Sequence, residues 1–335
     1  MLRKISRRGQ YIIAERVSGL GDMLAQASQL GCLADLHGVD CYVDWRRSFY
    51  SKPDDLTNLF GTLIFHERLK CITTLKTYQK AFLPCQQLAS SDEAYLLLGE
   101  TEELKTKLPL RISCKINALP YRTYSHFLQE FNFRSDVQQA AETALETSKS
   151  RFLVGIHYRH GNGEFSELKS DERVTSEIRN IHALFVKFQQ DQKDALAVVC
   201  TDSIVSATMF RAIFSHDEIA VIDKSWPQPN SGPIHYGHLL VDGGGPAPQT
   251  ILFEALVDMT ILANCDILMR AEFGSFPDWP QSRLQSQGIH QRNAIVEYPY
   301  FRRKFQRHEK AWAEYLRANQ RLRTLSDSGE ESGSH

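Results

Sequence analysis

The residues best suited to chemistry in this sequence follow a short apolar stretch near its middle. Four hydrophobic side chains within Phe152–Ile156 predict a buried strand, and a polar segment with two glycines follows it directly: His157-Tyr158-Arg159-His160-Gly161-Asn162-Gly163-Glu164. A guanidinium such as that of Arg159 donates a planar fork of hydrogen bonds that matches a phosphate group. The glycines let the backbone approach a ligand closely. Because ligands of open α/β sheets bind beyond the carboxyl ends of the strands, we expect a binding segment here rather than an ordinary polar surface loop.

The same segment carries a family resemblance. From Ile156 to Glu164 the sequence resembles the His-x-Arg-His-Gly-Asn-Gly-Glu signature of the nodulation-type α1,6-fucosyltransferases, which are bacterial relatives of the enzymes that core-fucosylate N-glycans. Three shorter blocks resemble the family in the same order along the chain: Asp44-Trp45-Arg46, Cys200-Thr201-Asp202-Ser203 and Gly232-Pro233-Ile234-His235. The resemblance implies an α/β fold with two Rossmann-like domains facing a crevice, the GT-B architecture of glycosyltransferases.

Length and composition are compatible with this interpretation. A chain of 335 residues suggests about two domains, and 39 Lys and Arg against 40 Asp and Glu leave no field to attract nucleic acid. No segment approaches the ~20 apolar residues of a transmembrane helix, and the apolar run Tyr11–Ala14 is too short for a signal peptide. The seven cysteines include no C-x-x-C pair, which indicates reduced thiols. We therefore expect a cytoplasmic protein without a transmembrane segment.

The beginning of the chain predicts a βαβ unit. Its elements are a strand at Tyr11–Val17, a helix at Met23–His37 with Gly38 as its stop signal, and a strand at Cys41–Asp44. From Pro53 to Glu146 the signals are weaker, with one strand-like run at Tyr95–Leu98 and a helix at Val137–Thr147.

After residue 150 strands and helices alternate clearly. Strands are predicted at Phe152–Ile156, Leu196–Cys200, Ile219–Ile222 and Ile267–Met269, and helices at Ser176–Gln190, Ser203–Phe214 and Ile251–Asn264. Such alternation predicts a parallel sheet with right-handed crossovers. We expect an N-terminal Rossmann-like domain over residues 1–150, which the resemblance makes the acceptor side. A C-terminal Rossmann-like domain over residues 151–325 would bind GDP-fucose, and residues 326–335 would form a disordered tail.

A glycine pair near the N-terminus has two interpretations. Gly19 and Gly21 follow the first predicted strand, and Asp44 ends the second strand where an NAD enzyme would hold the ribose. Leu24 occupies the position of the third glycine in the dinucleotide fingerprint, which argues against NAD. The resemblance instead brings the backbone of Gly19 and Gly21 to the diphosphate of the sugar donor.

Other candidate residues lie in the second half of the chain. Glu254 and Asp258 share one face of a predicted helix with buried neighbours, where an unpaired carboxylate would be costly. The resemblance assigns Asp258 to the guanine base, and it assigns Ser275 to the neighbourhood of the diphosphate. We interpret Asp202 or Ser203 as the N-cap of the following helix. The resemblance also makes His235 a donor- or acceptor-orienting residue.

The resemblance implies an inverting fucosyltransferase that uses GDP-β-L-fucose and forms an α1,6 link to N-acetylglucosamine in a chito-oligosaccharide, a lipo-oligosaccharide or a related glycan. The sequence contains no Asp-x-Asp motif and no metal-ligand spacing, so Arg159 is expected to stabilise the leaving diphosphate without a metal or other cofactor. Glu164 is the first candidate for the catalytic base and Glu167 the second. His157 would line the nucleotide site, and His160 and Asn162 would orient donor or acceptor.

The acceptor is less clearly defined by the sequence than the donor. After Glu164 the chain continues Phe165-Ser166-Glu167-Leu168-Lys169, where the family continues Asp-Ile-Met and then an aromatic-rich stretch. Two alternative functions remain open. One is a transferase of the same fold that acts on a surface polysaccharide or uses another nucleotide sugar. The other is a non-catalytic protein that binds a glycan or a nucleotide.

Overall fold

The structure is a computed structural model, and it describes residues 10–51, 58–72, 86–88, 108–116, 119, 121–160, 170–226, 247–270 and 274–286. The predicted strand Tyr95–Leu98 and the predicted tail at residues 326–335 lie outside these ranges. The chain divides into two compact units, with the boundary between Arg134 and Ser135. Each unit combines helices with a parallel sheet, so the predicted α/β class is confirmed.

The first unit contains a five-stranded parallel sheet. Its elements are β1 (Tyr11–Ala14), α1 (Leu20–His37), β2 (Asp40–Val43), β3 (Ile64–Phe65), β4 (Lys70–Cys71), β5 (Gln86–Leu88), β6 (Leu110–Ile112), α2 (Tyr121–Leu128) and β7 (Asn132–Phe133). The strand order in the sheet is β4-β2-β1-β6-β5, and β3 and β7 form a separate antiparallel pair. Strand β1 is therefore central, with β2 on one side and β6 on the other.

Helix α1 is buried along most of its length, and two buried glutamines connect it to the chain after β6. Gln26 donates to the carbonyl oxygens of Ile112 and Cys114, both at 2.8 Å. Gln29 accepts from the backbone N–H of Ile116 at 2.9 Å and donates to its carbonyl at 3.1 Å. Buried amide groups need such partners. These bonds fix the segment that leaves β6 beside the carboxyl end of β1.

The second unit contains a four-stranded parallel sheet in the order β10-β9-β8-β11. Its elements are α3 (Ser135–Leu145), a 3₁₀ turn (Glu146–Ser148), β8 (Phe152–Tyr158), α4 (Asp171–Gln189), β9 (Ala195–Thr201), α5 (Ile204–Ile213), β10 (Ile219–Val221), α6 (Pro248–Ala263), β11 (Ile267–Arg270) and α7 (Asp278–Ser286). All residues of β9 are buried, as expected for a parallel strand with both sheet faces covered.

Both faces of the second sheet carry an apolar core. On one face, residues of β8 such as Ile156 pack with residues of α4 and α5 such as Phe185 and Phe210. On the other face, residues of α3 and α6 such as Leu145 and Ile261 pack with Leu153, Leu196, Val198 and Leu268 of the strands. Helices on both faces of a parallel sheet form a doubly wound unit.

The element bounds differ from the predictions in ways that have local causes. Helix α3 packs into the core of the second unit through Ala141 and Leu145, so the boundary falls before it and not at residue 150. Strand β8 continues to Tyr158, two residues beyond the predicted end, because it pairs with β9 along its whole length. Helix α4 begins at Asp171, since the Ser170 hydroxyl accepts from the backbone N–H of Arg173 and caps it.

Strand β1 ends at Ala14 rather than at Val17. Helix α1 ends as predicted at Gly38, whose φ of 69° is favourable for glycine. No helix in the described part of the chain is both long enough and apolar enough to span a membrane.

The two sheets share one topological feature. From the central strand of each unit the chain first moves to one side, from β1 to β2 and from β8 to β9, and a later strand pairs on the other side, as β6 and β11. In open α/β sheets, ligands bind outside the carboxyl ends of the strands at the place where the direction reverses. We call the edge between β1 and β6 the first switch point and the edge between β8 and β11 the second switch point.

Candidate functional site

The predicted binding segment begins at the second switch point. His157 is the second-last residue of β8, and Arg159 directly follows the strand. The imidazole ring of His157 stacks on the ring of Phe276, with centroids 4.7 Å apart and an interplanar angle of 16°. Phe276 comes after β11, so this contact joins the ends of the two strands that define the switch point. The phosphate-binding candidates of the sequence analysis therefore lie where the topology predicts a ligand.

The turn after Arg159 is fixed by a carboxylate from the neighbouring strand. The backbone N–H of His160, a buried residue, donates to Oδ1 of Asp202 at 2.7 Å. Asp202 follows β9, which pairs in register with β8. The helix cap expected from Asp202 or Ser203 belongs to Ser203, whose hydroxyl accepts from the backbone N–H of Val205 at 3.2 Å. Asp202 instead holds the chain next to Arg159.

Ser275 lies in the same region as His157. Its carbonyl accepts from the backbone N–H of Asp278 at 3.2 Å, in the turn that starts α7. The turn follows β11 and contains Phe276, the residue that stacks on His157. The structure thus brings His157, Arg159, His160 and Ser275 to one edge of the second sheet.

Asp258, the predicted guanine-binding residue, forms a buried ion pair on helix α6. Its Oδ2 accepts from Nζ of Lys224, which follows β10, and the two side chains are only 8% and 6% exposed. Burial raises the pKa of the Asp258 carboxyl, although the nearby ammonium opposes this change. Burial disfavours the Lys224 ammonium, but the Asp258 carboxylate keeps the pKa of Lys224 above its ordinary value. One oxygen of Asp258 is therefore already engaged by a cation.

The carboxylate pair predicted on this helix has a common function in the structure. Glu254, one turn before Asp258, accepts from the backbone N–H of Ser225 at 2.9 Å. Both carboxylates therefore bind the segment Lys224–Ser225 at the end of β10. Sequence analysis did not identify Lys224, because a lysine after a short strand has no pattern that distinguishes it from a solvated one.

Several predicted site residues lie outside the described residues. These are Asn162, Glu164, Glu167 and His235. Their predicted functions as orienting residues and as candidates for the catalytic base therefore stay predictions.

The N-terminus of α1 contains the predicted glycine pair, Gly19 and Gly21. The first amide of the helix, that of Leu20, donates to the hydroxyl of Tyr50 at 3.0 Å. Asp22 adds a carboxylate in the first turn, and it pairs with Arg16 at 3.2 Å and with Lys115 at 2.9 Å. A diphosphate at this helix end would meet two cations, but it would also meet the carboxylate between them.

The structure gives no support to a dinucleotide site at Asp44. The side chain is 6% exposed, and its two oxygens accept from Nε and Nη2 of Arg46 at 2.7 and 2.6 Å. An NAD ribose would need the carboxylate that this bidentate pair occupies. The pair belongs to the Asp44-Trp45-Arg46 block noted in the sequence.

The first switch point contains a carboxylate that sequence analysis missed. Glu15 follows β1 and lies 2.9 Å from Nη1 of Arg111 on β6, with its side chain 12% exposed. Burial raises the pKa of Glu15, while the Arg111 guanidinium counteracts part of this effect. The two residues are distant in sequence, so only the parallel pairing of β1 with β6 reveals their contact.

Among the described residues, no three His, Cys, Asp or Glu side chains are close enough together to hold a metal ion. The six described cysteines are free thiols.

Solved structures with the same fold include two kinds of fucosyltransferase. The structure of NodZ α-1,6-fucosyltransferase soaked with GDP-fucose matches with a TM-score of 0.56 and 16% identity, over 82% of this chain and 92% of that chain. The structure of POFUT1 in complex with GDP matches with a TM-score of 0.52 and 9% identity, over 86% and 98% of the two chains. This likeness confirms the predicted fold class, an α/β protein of the GT-B type.

Sequence comparison gives the family. Nodulation protein Z of Azorhizobium caulinodans is 25% identical over 307 residues, which cover 81% of this chain and 88% of that protein. Nodulation protein Z of Bradyrhizobium diazoefficiens is 23% identical over 296 residues, which cover 79% and 76%. The sequence model of the Nodulation protein Z family matches residues 114–287, and these include the second switch point. Since the match extends over more than half of the chain, the protein belongs to the Nodulation protein Z (NodZ) family.

Proposed function

We propose that this protein is a fucosyltransferase that moves L-fucose from GDP-β-L-fucose to the 6-hydroxyl of N-acetylglucosamine in a chito-oligosaccharide or related glycan. The observation that carries the proposal is the position of the His157–Glu164 signature. In a chain of the NodZ family, this signature begins at the second switch point, where an α/β sheet binds its ligand.

The donor part of the proposal is supported by side chains of the second unit. Arg159 supplies a permanent positive charge for the diphosphate, and the bond from His160 to Asp202 holds the turn that carries it. His157 and Ser275 lie at the same edge and would line the nucleotide. Asp258 would recognise guanine through its Oδ1, or after a rearrangement that releases Lys224. A related NodZ enzyme with the same fold was studied with GDP-fucose and with GDP.

The proposed reaction is a single displacement at the anomeric carbon of fucose. The acceptor oxygen forms a bond to this carbon while the bond from the carbon to the β-phosphate oxygen breaks, and GDP leaves with the electron pair. A β-linked donor thereby gives an α-linked product. Arg159 would stabilise the charge that develops on the leaving phosphate, as preorganised donors do in other transferases. The acceptor proton would pass to a carboxylate, for which Glu164 is the first candidate and Glu167 the second.

The first unit would bind the acceptor, and Gly19 and Gly21 would approach the donor diphosphate through their backbone. The reaction as proposed needs no metal ion, because Arg159 provides the positive charge at the leaving group. A chito-oligosaccharide is the preferred acceptor because the signature and the ordered blocks resemble those of transferases that act on N-acetylglucosamine.

The proposal is tested by measuring GDP release from GDP-fucose with and without chitotetraose, followed by NMR analysis of the product linkage. We expect release that depends on the acceptor and persists in excess EDTA, and an α1,6 linkage in the product. Thermal melting with GDP, UDP and NADH provides a nucleotide control, and only GDP should raise the melting temperature. Stabilisation by NADH alone, or tight GDP binding without turnover on any glycan, would contradict the proposal.

A further inference from the structure

The first switch point contains a group of charged side chains that the proposed reaction does not yet use. The charges that act on Glu15 are those of Arg111 on β6, of the Asp44–Arg46 pair after β2, and of the exposed Arg47. The backbone N–H of Glu15 donates to the carbonyl of Ile112 at 3.0 Å, which continues the pairing of β1 with β6 and fixes the position of the side chain. We call Glu15, Asp44, Arg46 and Arg111 the Glu15 cluster.

One buried oxygen of Glu15 receives no hydrogen bond from any described residue. This atom, Oε2, lies 2.9 Å from Nη1 of Arg111, but the contact does not have hydrogen-bond geometry. Buried polar atoms of native proteins nearly always have a partner, so an orphaned carboxylate oxygen at a switch point indicates a ligand group.

The charges of the cluster indicate which class of ligand fits. The orphaned atom is a carboxylate oxygen, so its ligand must supply a hydrogen-bond donor, and a phosphate group at neutral pH is mainly an acceptor. A hydroxyl group can donate to a carboxylate and accept from a guanidinium at the same time. Oε2 of Glu15 supplies this acceptor, and the Arg111 guanidinium lies 2.9 Å from it. The orphaned oxygen of the cluster therefore suits a ligand with many hydroxyl groups.

We propose that the Glu15 cluster is a saccharide subsite in which the Glu15 carboxylate accepts a hydrogen bond from a hydroxyl group of the acceptor glycan. The proposal rests on the proposed function for the identity of the glycan. Glu15 is a binding residue in this proposal, and the deprotonation of the acceptor remains with the candidates in the signature segment. The raised pKa of Glu15 agrees with a carboxylate that has been removed from water and lacks a full set of partners.

The test compares Glu15→Ala and Glu15→Gln with the wild type and with Glu67→Ala, a control that removes an exposed carboxylate of the same unit. Binding of chitotetraose is measured by titration calorimetry, and KM is measured separately for chitotetraose and for GDP-fucose. Glu15→Ala should weaken chitotetraose binding and raise its KM by about tenfold or more, the loss typical of a hydrogen bond to a charged group. The KM for GDP-fucose should stay within about twofold of wild type, and Glu67→Ala should change neither constant.

Glu15→Gln keeps the shape of the side chain. It tests the saccharide subsite if circular dichroism shows that Glu15→Ala does not fold. The glutamine variant should bind chitotetraose more weakly than wild type, because a neutral amide is a weaker acceptor than a carboxylate. Unchanged chitotetraose affinity in a folded Glu15 variant would overturn the subsite, and so would a raised KM for GDP-fucose with normal saccharide binding.

The subsite and the proposed function can fail separately. If the wild type binds no chitotetraose but transfers fucose to another glycan, the subsite fails as a chitotetraose site while the transferase proposal stands. If the wild type neither binds GDP nor uses GDP-fucose, yet loses chitotetraose binding in Glu15→Ala, the transferase proposal fails and the subsite stands.

Discussion

The two switch points have the same topology but organise their charges differently. At the first switch point each carboxylate is paired with a cation, as in Glu15 with Arg111 and Asp22 with Lys115, both at 2.9 Å. At the second switch point Arg159 follows the central strand, and the neighbouring carboxylate, Asp202, accepts from a backbone N–H. In the proposed function, the sheet topology defines where a ligand binds, while the side chains define which ligand charge is favoured.

This difference assigns different ligand chemistry to the two units. An arginine on a fixed turn suits a diphosphate, because the positive charge is held in place before the ligand arrives. Paired charges with an orphaned acceptor oxygen suit the hydroxyl groups of a neutral saccharide.

Arg159→Ala should reduce turnover of GDP-fucose by about 10²–10³-fold, because one preorganised charge donor at a developing negative charge is typically worth this much. Arg159→Lys should restore little of the turnover, since an ammonium group keeps the charge but cannot form the bidentate hydrogen bonds of a guanidinium. The measurement is GDP release, with circular dichroism to establish folding. Near-normal turnover of Arg159→Ala would remove the basis for an anion site at the second switch point.

Arg151 provides a matched control at the other end of β8. Its guanidinium donates to the carbonyls of Asp194, Ala195 and Asp217 at 2.6–3.0 Å and so connects three chain segments. Arg151→Ala should lower the melting temperature without reducing kcat per folded molecule. Equal effects of both arginine substitutions on kcat would indicate that Arg159 also acts through stability alone.

Lys224→Met should lower the free energy of unfolding by about 3 kcal/mol, because it leaves the buried Asp258 carboxylate without its partner. The control is Lys70→Met, which breaks an ion pair with Asp40 in which the lysine is 49% exposed and which should contribute at most about 1 kcal/mol. Both are measured by urea denaturation. A Lys224→Met protein as stable as wild type would show that this buried ion pair does not stabilise the fold.

Asp202→Ala should lower kcat by about tenfold, since it removes the hydrogen bond that holds the turn after Arg159. Asp202→Asn should retain most activity, because its amide oxygen can still accept from the backbone N–H of His160. Ser203→Ala removes the adjacent helix cap and should cost about 1 kcal/mol of stability with little change in kcat. Equal losses in the Ala and Asn variants would mean that the charge of Asp202 matters and the turn does not.

The smallest effect concerns the stability of Glu15→Gln as a function of pH. Burial raises the folded-state pKa of Glu15, so its ionisation opposes folding. Its contribution to stability is present below the ordinary pKa of a glutamate and is lost as the pH rises through the folded-state pKa. The melting temperature of Glu15→Gln should therefore be no lower than that of the wild type at pH 7. As the pH falls towards about 4, the melting temperature of the variant should decrease relative to that of the wild type. A variant that melts well below wild type at pH 7 would show that Glu15 is retained for stability and not for a ligand.

Much of the fold followed from local patterns in the sequence. The second unit was predicted strand by strand because its strands are short apolar runs that alternate with amphipathic helices. The middle of the first unit was predicted poorly. Strand β6 is only three residues long and helix α2 only eight, which is too short for a periodic signal.

Candidate site residues that belong to a sequence motif were predicted, and those that are defined only by a tertiary contact were missed. Arg159 and His157 were identified from the signature, and the topology brings both to the second switch point. Lys224 and the function of Asp202 were not identified, because their partners lie 34 and 42 residues away along the chain. Such contacts depend on which strand lies beside which.

The sequence by itself determined the family, the α/β class and the segment that we propose to bind the phosphates, since all three depend on residue order and spacing. Tertiary structure alone decided that Glu15 meets Arg111 and that Asp258 is engaged by Lys224. The physical reason is that strand order in a parallel sheet is set by the burial of both sheet faces under helices, a property of the whole unit. Side chains at the carboxyl ends of neighbouring strands then become partners, whatever their separation in sequence.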